Sequence, residues 1–202
     1  VVAKAQNKFT EKSLLALGGI YRKLDNSDEA IVAYERLEKS ANRKENVRYA
    51  VINLMQLYFK KDEYAKASGY ANYVLNGEGL MDENLWQQAK LTLSKTALEN
   101  GEYDDAIVHL DTLSKAMNIT GAEAKYLLAK TYFFKGEFGK SDTVIYRLVD
   151  QVPSFPYWIA KGFILLADNF IAGEDIYNAR VTFQSVIDNA DKIVVILKDE
   201  KE

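Results

Sequence analysis

The chain has 202 residues, of which 48% are hydrophobic and 27% charged, and this composition excludes an intrinsically disordered protein while leaving enough length for one or two domains. A formal net charge of −3 provides no basic excess for phosphate backbones, so we expect no nucleic-acid partner. The chain has no cysteine, which excludes disulfides, thiolate metal sites and a cysteine nucleophile.

Ten helices are predicted in chain order, as five pairs joined by short polar turns. The first helix of each pair, helix A, is expected near 10–23, 46–60, 83–99, 120–135 and 156–172. The second, helix B, is expected near 27–41, 63–76, 103–117, 138–151 and 175–190. Residues 1–8 are interpreted as the end of a preceding helix, and the two ends of the chain indicate a fragment of a longer protein. No apolar run reaches the roughly 20 residues that a membrane-spanning helix needs.

The five helix pairs align without gaps on three columns, and this internal repeat is the strongest pattern in the sequence. The first column holds an aromatic or small residue at Tyr21, Tyr58, Ala97, Tyr132 and Phe170. The second holds a small residue at Ala30, Ala67, Ala106, Ser141 and Ala179. The third holds Tyr34, Ala71, Leu110, Ile145 and Phe183. A small residue on helix B allows close packing on helix A, so the columns predict stacked helical hairpins.

The order of residues in the first hairpin resembles the tetratricopeptide repeat (TPR) consensus, through Leu17, Gly18, Tyr21, Ala30 and Tyr34. Pro153 falls where such a repeat usually ends. The resemblance implies an all-α fold, a right-handed α-α superhelix (solenoid) of about five TPR-like hairpins over residues 1–202. The repeats are expected at about 10–41, 46–76, 83–117, 120–151 and 156–190, with 191–202 as the start of a further helix or a cap.

The last two repeats are also similar to long TPR proteins of Gram-negative bacterial envelopes, so the resemblance favours a periplasmic or outer-membrane-associated location. The family's usual role implies a non-catalytic scaffold that binds a protein or peptide in a concave groove lined by helices A. The groove positions carried over to this sequence are Arg22, Tyr49, Gln56, Lys60, Lys95, Tyr126, Lys130 and Phe133. The wider set of groove positions has more lysines than acids, which favours a ligand with acidic groups.

The carboxylate clamp of chaperone-binding members is not expected here. Its basic and amide positions are occupied by Leu15, Gly19, Gln88 and Thr92, which leaves Asn53 as an isolated match. The alternative function is a structural array segment that packs mainly against its own neighbouring repeats, or self-associates through open repeat ends.

A metal or acid/base site at His109 is the third alternative, because Asp105 lies four residues earlier on the same predicted helix face. A metal would need further ligands, and His109 is the only histidine, so no metal and no cofactor are expected.

Glu102 belongs to a column that is acidic in four of the five repeats, which indicates helix N-termini. The segment PSFPYW, Pro153 to Trp158, is interpreted as a stiff connector inserted into the core or as an exposed partner-binding patch.

Overall fold

The fold is known from a computed structural model that describes residues 8–77 and 82–189. Within these ranges the chain forms ten α-helices and no strand. The helices are α1 (Lys8–Lys23), α2 (Ser27–Ser40), α3 (Lys44–Lys60), α4 (Tyr64–Asn76), α5 (Glu83–Glu99), α6 (Tyr103–Leu113), α7 (Ile119–Phe134), α8 (Phe138–Val149), α9 (Pro156–Ala172) and α10 (Ile176–Asp188). The predicted all-α fold of five hairpins is therefore confirmed. No helix in the described ranges is long and apolar enough to cross a membrane.

Most helix ends agree with the predicted ones, and α6 is the main exception because it ends at Leu113 rather than near residue 117. The next helix explains this difference. The side chain of Asn118 accepts a hydrogen bond from the backbone N–H of Gly121 at 2.9 Å and so caps α7. The chain must leave the path of α6 before this cap. The predicted helix end at residues 1–8 lies outside the described residues except for Lys8, and so does the predicted cap at 191–202.

The turn between the two helices is the same in all five hairpins, and it is a Schellman motif. The second residue after helix A has a left-handed backbone, with φ between 57° and 76°, at Asp25, Asp62, Gly101, Gly136 and Glu174. The next residue donates its backbone N–H to the carbonyl of the first column, over 2.8–2.9 Å, from Asn26, Glu63, Glu102, Glu137 and Asp175. The first column therefore marks the third-to-last residue of helix A as well as a packing position.

The small-residue column lies in the core, as the repeat predicts. Ala30, Ala67, Ala106 and Ser141 are fully buried, and Ala179 is almost so. These residues let each helix B approach its helix A closely, because a longer side chain would hold the two backbones apart.

The chain divides between Thr96 and Ala97 into two compact units. In the first unit, the fully buried side chains include Tyr34, Leu37, Leu54 and Met55. In the second unit they include Leu110, Ile145 and Leu148. Each unit thus has its own apolar core, while the single solenoid expected over residues 1–202 stays a prediction.

Candidate functional site

We use the term helix-A face for the side chains of α1, α3, α5, α7 and α9 at the predicted groove positions. In the first unit, its best-organised part surrounds Arg22 and Tyr49. The guanidinium of Arg22 donates from Nη1 to Oδ1 of Asn53. Asn53 is buried and donates from Nδ2 to the carbonyl of Tyr49 at 2.7 Å. Asn53 therefore links α1 to α3 and holds Arg22 in one orientation.

The ring of Tyr49 packs edge-on against the fully buried ring of Tyr34, with centroids 6.0 Å apart. Burial raises the pKa of Tyr34 to about 12, with a further upward contribution from Tyr49, while the positive charge of Arg22 opposes this increase. Tyr34 therefore stays a neutral hydrogen-bond donor. Gly19, Arg22, Lys23, Tyr34 and Tyr49 line an open cavity of about 330 Å³.

The other predicted residues of the first unit make contacts within that unit. Gln56 donates from Nε2 to Oε1 of Gln88 at 3.0 Å. Lys60 forms an ion pair with Asp25. The ammonium of Lys95 lies 4.6 Å from the ring centroid of Phe59, which is a cation–π distance.

In the second unit, the helix-A face carries an aromatic cluster around one lysine. Tyr126 lies 5.7 Å from Trp158, and Trp158 lies 4.9 Å from Tyr157, measured between ring centroids. The ammonium of Lys161 is 5.1–5.2 Å from the centroids of all three rings and donates to the hydroxyl of Tyr157 at 3.2 Å. Burial raises the pKa of Tyr126, and the charge of Lys161 opposes this increase.

Lys130 and Phe133 lie farther along α7 in the same unit. The ammonium of Lys130 is 5.5 Å from the ring centroid of Phe134. Phe133 contacts Phe134 at 5.9 Å and Phe138 at 5.7 Å, and it is half-buried. Phe133 therefore contributes to packing within its hairpin as well as to the helix-A face.

Lysines at the hairpin turns have different partners. Lys61 pairs with Asp28 at 2.5 Å and Glu63 at 3.3 Å, and Lys66 pairs with Glu63 at 2.5 Å. The same positions two repeats later repeat the arrangement, with Lys135 pairing with Asp104 and Glu137, and Lys140 pairing with Glu137 at 2.5 Å. In contrast, neither Lys130 nor Lys161 has a carboxylate within 4.0 Å among the described residues. The turn lysines are neutralised, and these two helix-A lysines are not.

The acidic column at the start of helix B has a different role from the one expected. Only Asp175 accepts a backbone N–H there, from Asn178 at 3.1 Å. The side chains of Glu63, Glu102 and Glu137 make no such cap bond. Lys66 and Lys140 lower the pKa of Glu63 and Glu137, respectively, through hydrogen-bonded ion pairs. Glu63 and Glu137 are therefore mainly ion-pair partners.

His109 is half-buried on α6, beside the buried Leu110. No group of three or more metal-binding side chains occurs in the described part of the chain. The segment from Pro153 to Trp158 agrees in part with each interpretation, since Tyr157 is 41% exposed whereas Phe155 and Trp158 are half-buried. Pro156 begins α9, where its missing N–H costs nothing.

Sequence reasoning did not select Lys161, Trp158, Tyr34 or Asn53 among the best contact residues. Lys161 occupies the same repeat position as Tyr49, so the column pattern already placed it on the helix-A face. Trp158 lies in the aromatic segment that the sequence singled out, but its contact with Tyr126 depends on how α9 packs on α7. Tyr34 was identified only as a core residue.

A family model of the tetratricopeptide repeat matches residues 11–43, and no curated protein matches the chain significantly. The crystal structure of MamA is similar at 19% identity and a TM-score of 0.66, over 87% of this chain and 95% of that one. YrrB, described as a TPR protein with an unusual peptide-binding site, is 14% identical with a TM-score of 0.64, over 94% and 91%. A tetratricopeptide repeat protein from Parabacteroides merdae ATCC 43184 is 17% identical with a TM-score of 0.52, over 92% and 68%. The first hairpin is thus a tetratricopeptide repeat in sequence, and the chain has the tetratricopeptide-repeat fold.

Proposed function

We propose that the chain is a non-catalytic scaffold that binds a protein or peptide on its helix-A face. The observation that carries this proposal is the partly exposed combination of rings and unneutralised lysines in the second unit. Lys161 lies among Tyr126, Tyr157 and Trp158, and Lys130 lies on Phe134. Tyrosine and tryptophan are among the side chains that contribute most to protein interfaces, and the lysines add an attraction for acidic groups.

The charge of these lysines favours a partner with acidic groups. No carboxylate of the described residues lies within 4.0 Å of Lys161 or Lys130, so a carboxylate of a ligand could pair with either without breaking an ion pair there. The neighbouring rings, of which Tyr157 is 41% exposed, would contact apolar parts of the same ligand. The peptide-binding site described for YrrB, which has the same fold, agrees with this class of partner.

A selection from a library of random peptides tests the proposal. We expect wild-type protein to enrich peptides with acidic and apolar residues. Their affinity, measured by fluorescence anisotropy, should fall about tenfold or more in a Tyr126→Ala/Lys130→Ala variant, because tyrosine is a typical hot-spot residue and the lysine charge attracts acidic groups.

The matched control replaces the same kinds of side chain on helix B of the same hairpin. Tyr146 is 50% exposed and Arg147 follows it on α8. A Tyr146→Ala/Arg147→Ala variant should bind the selected peptides like the wild type. If this control loses the binding and the helix-A variant keeps it, the site lies on helices B and the proposal is wrong.

A structural array segment that associates with other repeats is the second candidate. The last hairpin favours it, because α10 exposes apolar residues at Ile176, Tyr177, Val181 and Ile187, each 47–68% accessible. Sedimentation velocity over a hundredfold range of concentration checks this candidate. A concentration-dependent increase in mass that Tyr177→Ser abolishes would support it, whereas a constant monomer would count against it.

A bacterial cell-envelope assembly is the setting that we propose for the scaffold. Its support is the resemblance of the last two repeats to envelope proteins of this fold. Fractionation of cells that produce the native protein checks the location, and recovery of the protein only with cytosolic markers would contradict it.

A further inference from the structure

The first unit contains a cavity that none of the predicted groove positions lines. Its volume is about 560 Å³, which is within the range of small-ligand pockets. The residues from α3 are buried and lie at its base, whereas those from α2 and α4 are half-buried or exposed. The main lining residues are Glu35 and Glu38 of α2, Val51 and Tyr58 of α3, and Tyr70 and Tyr73 of α4.

Two carboxylates of this cavity accept hydrogen bonds from tyrosine hydroxyls. Tyr58 donates to Oε1 of Glu35 at 2.7 Å, and Tyr70 donates to Oε2 of Glu38 over a longer distance of 3.4 Å. The two glutamates lie three residues apart, so their side chains share one face of α2. No lysine or arginine of the described residues lies within 4.0 Å of either carboxylate. A carboxylate has about four acceptor sites, so both can accept further hydrogen bonds.

The rest of the cavity wall is aromatic. The rings of Tyr58 and Tyr70 are stacked, with centroids 5.9 Å apart and planes at 7°, and the ring of Tyr73 is 51% exposed. Burial raises the pKa of Tyr70 to about 12, with a further contribution from the charge of Glu38, so this tyrosine stays a neutral donor. Rings beside carboxylates form a site that attracts cations, because both the ring faces and the acids are negative.

The equivalent place in the second unit is occupied by cations of the chain itself. Two repeats later, Lys125 stands at the position of Val51, and Arg147 stands at the position of Tyr73. Lys125 is 7% exposed and donates to the carbonyl of Ala116 at 3.4 Å. Burial lowers the pKa of Lys125, and the charge of Arg147 lowers it further.

The acids of the two units differ correspondingly. Asp111 stands at the position of Glu35 and pairs with Lys115 at 3.1 Å, and the uncharged Ser114 replaces Glu38. The second unit therefore has one acid here and neutralises it with its own lysine. The first unit has two acids and leaves them without a basic partner at ion-pair distance in the described part of the chain. A cation from another molecule would supply the missing positive charge.

We propose that this cavity binds an arginine side chain of a protein partner, with Glu35 and Glu38 as acceptors and the ring of Tyr73 packed against the guanidinium. A guanidinium has five N–H donors in a planar fork, stacks on rings and is less strongly hydrated than an ammonium. Lys66 lines the edge of the cavity and pairs with Glu63 at 2.5 Å, so it does not neutralise the two acceptors. The inference does not rest on the function proposed for the helix-A face.

The test uses three small peptides that differ in one side chain. Acetyl-Gly-Arg-Gly-amide is compared with the lysine peptide and with the citrulline peptide, which has nearly the shape of arginine without its charge. Nuclear magnetic resonance titrations at constant ionic strength follow the ring signals of Tyr70 and Tyr73, and calcium chloride is titrated separately. We expect saturable shifts with the arginine peptide, weaker binding of the lysine peptide and no saturation with the citrulline peptide or calcium.

Glu38→Gln should lower the affinity for the arginine peptide about tenfold, because it removes a charged acceptor and keeps the shape of the side chain. Glu35→Gln should have a similar effect. The matched control is Glu29→Gln, which removes the same charge from an exposed position of α2 that does not line the cavity. This control should bind the arginine peptide like the wild type.

Gly69→Leu distinguishes a blocked cavity from a damaged fold. Gly69 lines the cavity on α4, and a Cβ atom there would have no neighbour within 4 Å, so leucine can extend into the open space. Leucine also has a better helix propensity than glycine, so the urea midpoint should rise. Binding of the arginine peptide should nevertheless be lost.

No saturable shift with the arginine peptide would overturn the inference. Equal affinity in wild type, Glu35→Gln and Glu38→Gln would also overturn it, and so would equal or tighter binding of the lysine peptide, the citrulline peptide or calcium. The Tyr126→Ala/Lys130→Ala variant should bind the arginine peptide like the wild type. Failure of the peptide selection on the helix-A face and failure of this inference are therefore observed separately.

Discussion

At the scale of single residues, two adjacent glycines of α1 have different roles. Gly18 faces the ring of Tyr34 at a distance that admits no Cβ atom, and Gly19 faces open space. The ring cannot move away easily, because Tyr34 is fully buried. Sequence reasoning found Gly18 through its place in the repeat consensus, but it did not distinguish the surroundings of the two positions.

Alanine at these two positions should therefore have opposite effects. We expect Gly18→Ala to lower the free energy of unfolding by about 1–3 kcal/mol, because it overpacks the ring of Tyr34. Gly19→Ala should raise it by up to about 1 kcal/mol through better helix propensity. Urea denaturation of both variants measures the two changes. A stabilising Gly18→Ala would show that the ring has room to shift.

The left-handed turn residue provides a second residue-scale prediction. Glu174 has φ 62°, which costs a residue with a side chain about 1–2 kcal/mol, whereas Gly136 has φ 74° at the equivalent place at no such cost. Glu174→Gly should raise the free energy of unfolding by up to about 1 kcal/mol, after subtracting the entropy that glycine gains in the unfolded chain. Gly136→Ala is the mirror control and should lower it by about 1 kcal/mol. Thermal denaturation of both variants would show the opposite shifts.

At the scale of helices and hairpins, an ion-pair arrangement recurs with a period of two repeats. Asp28, Lys61, Glu63 and Lys66 are matched by Asp104, Lys135, Glu137 and Lys140. Lys66 and Lys140 also lie on the rings of Tyr58 and Tyr132, at 5.2 and 5.4 Å. The first aspartate of each set belongs to the preceding hairpin, so the arrangement joins neighbouring hairpins inside each unit.

This arrangement predicts a pH dependence of stability. The ion pair with Lys140 lowers the pKa of Glu137 below its ordinary value of 4.5. A carboxylate with a lowered pKa in the folded state stabilises it above the ordinary pKa, and this contribution disappears as the pH falls through the lowered value. Glu137→Gln should therefore be less stable than wild type at pH 7, and the difference should shrink below pH 4.5.

Urea denaturation at several pH values between 3 and 7 checks this prediction. Glu102→Gln is the control at the equivalent position of the third repeat, because Glu102 forms no ion pair within the described ranges. Its stability difference from the wild type should be small at each pH. A difference for Glu137→Gln that stays constant down to pH 3 would contradict the ion-pair explanation.

At the scale of the whole molecule, the chain consists of two compact units, each built from contacts between neighbouring helices. The contacts of the first unit run from α1 to α4, and those of the second link α6, α7, α8, α9 and α10 in succession. Stability in such an array is approximately a sum over repeats and their interfaces. A substitution that loosens the packing of one unit should therefore reduce the stability of that unit more than the stability of the other.

Leu128→Ala tests this expectation in the second unit. Leu128 is 1% exposed, so its truncation should cost about 2–5 kcal/mol. Amide hydrogen exchange should show the largest loss of protection in α7, α8 and α9, and a smaller loss in α1 and α2. Leu54→Ala, in the core of the first unit, is the reciprocal variant. Equal loss of protection along the whole chain would show that the two units unfold as one.

The sequence by itself determined the repeat. The three columns and the polar turns predicted ten helices, and most of their ends agree with the structure within a few residues. The physical reason is that close helix packing needs a small residue at a fixed place in every hairpin, so Ala30, Ala67, Ala106, Ser141 and Ala179 repeat along the chain. The resemblance to the tetratricopeptide repeat, applied column by column, assigned Arg22, Tyr49, Tyr126 and Lys130 to groove positions on helices A.

Only the tertiary structure decided which of these residues act together. Lys60 and Gln56 already bind partners within the first unit. Lys161 contacts the rings of Tyr126 and Trp158 because α9 packs on α7. The edge-on contact of Tyr49 with the buried ring of Tyr34 was also not predicted, since a consensus tyrosine in a packing column predicts burial and does not specify its neighbours. Periodicity specifies the face on which a side chain lies, but contacts between residues distant in sequence depend on the packing of whole helices.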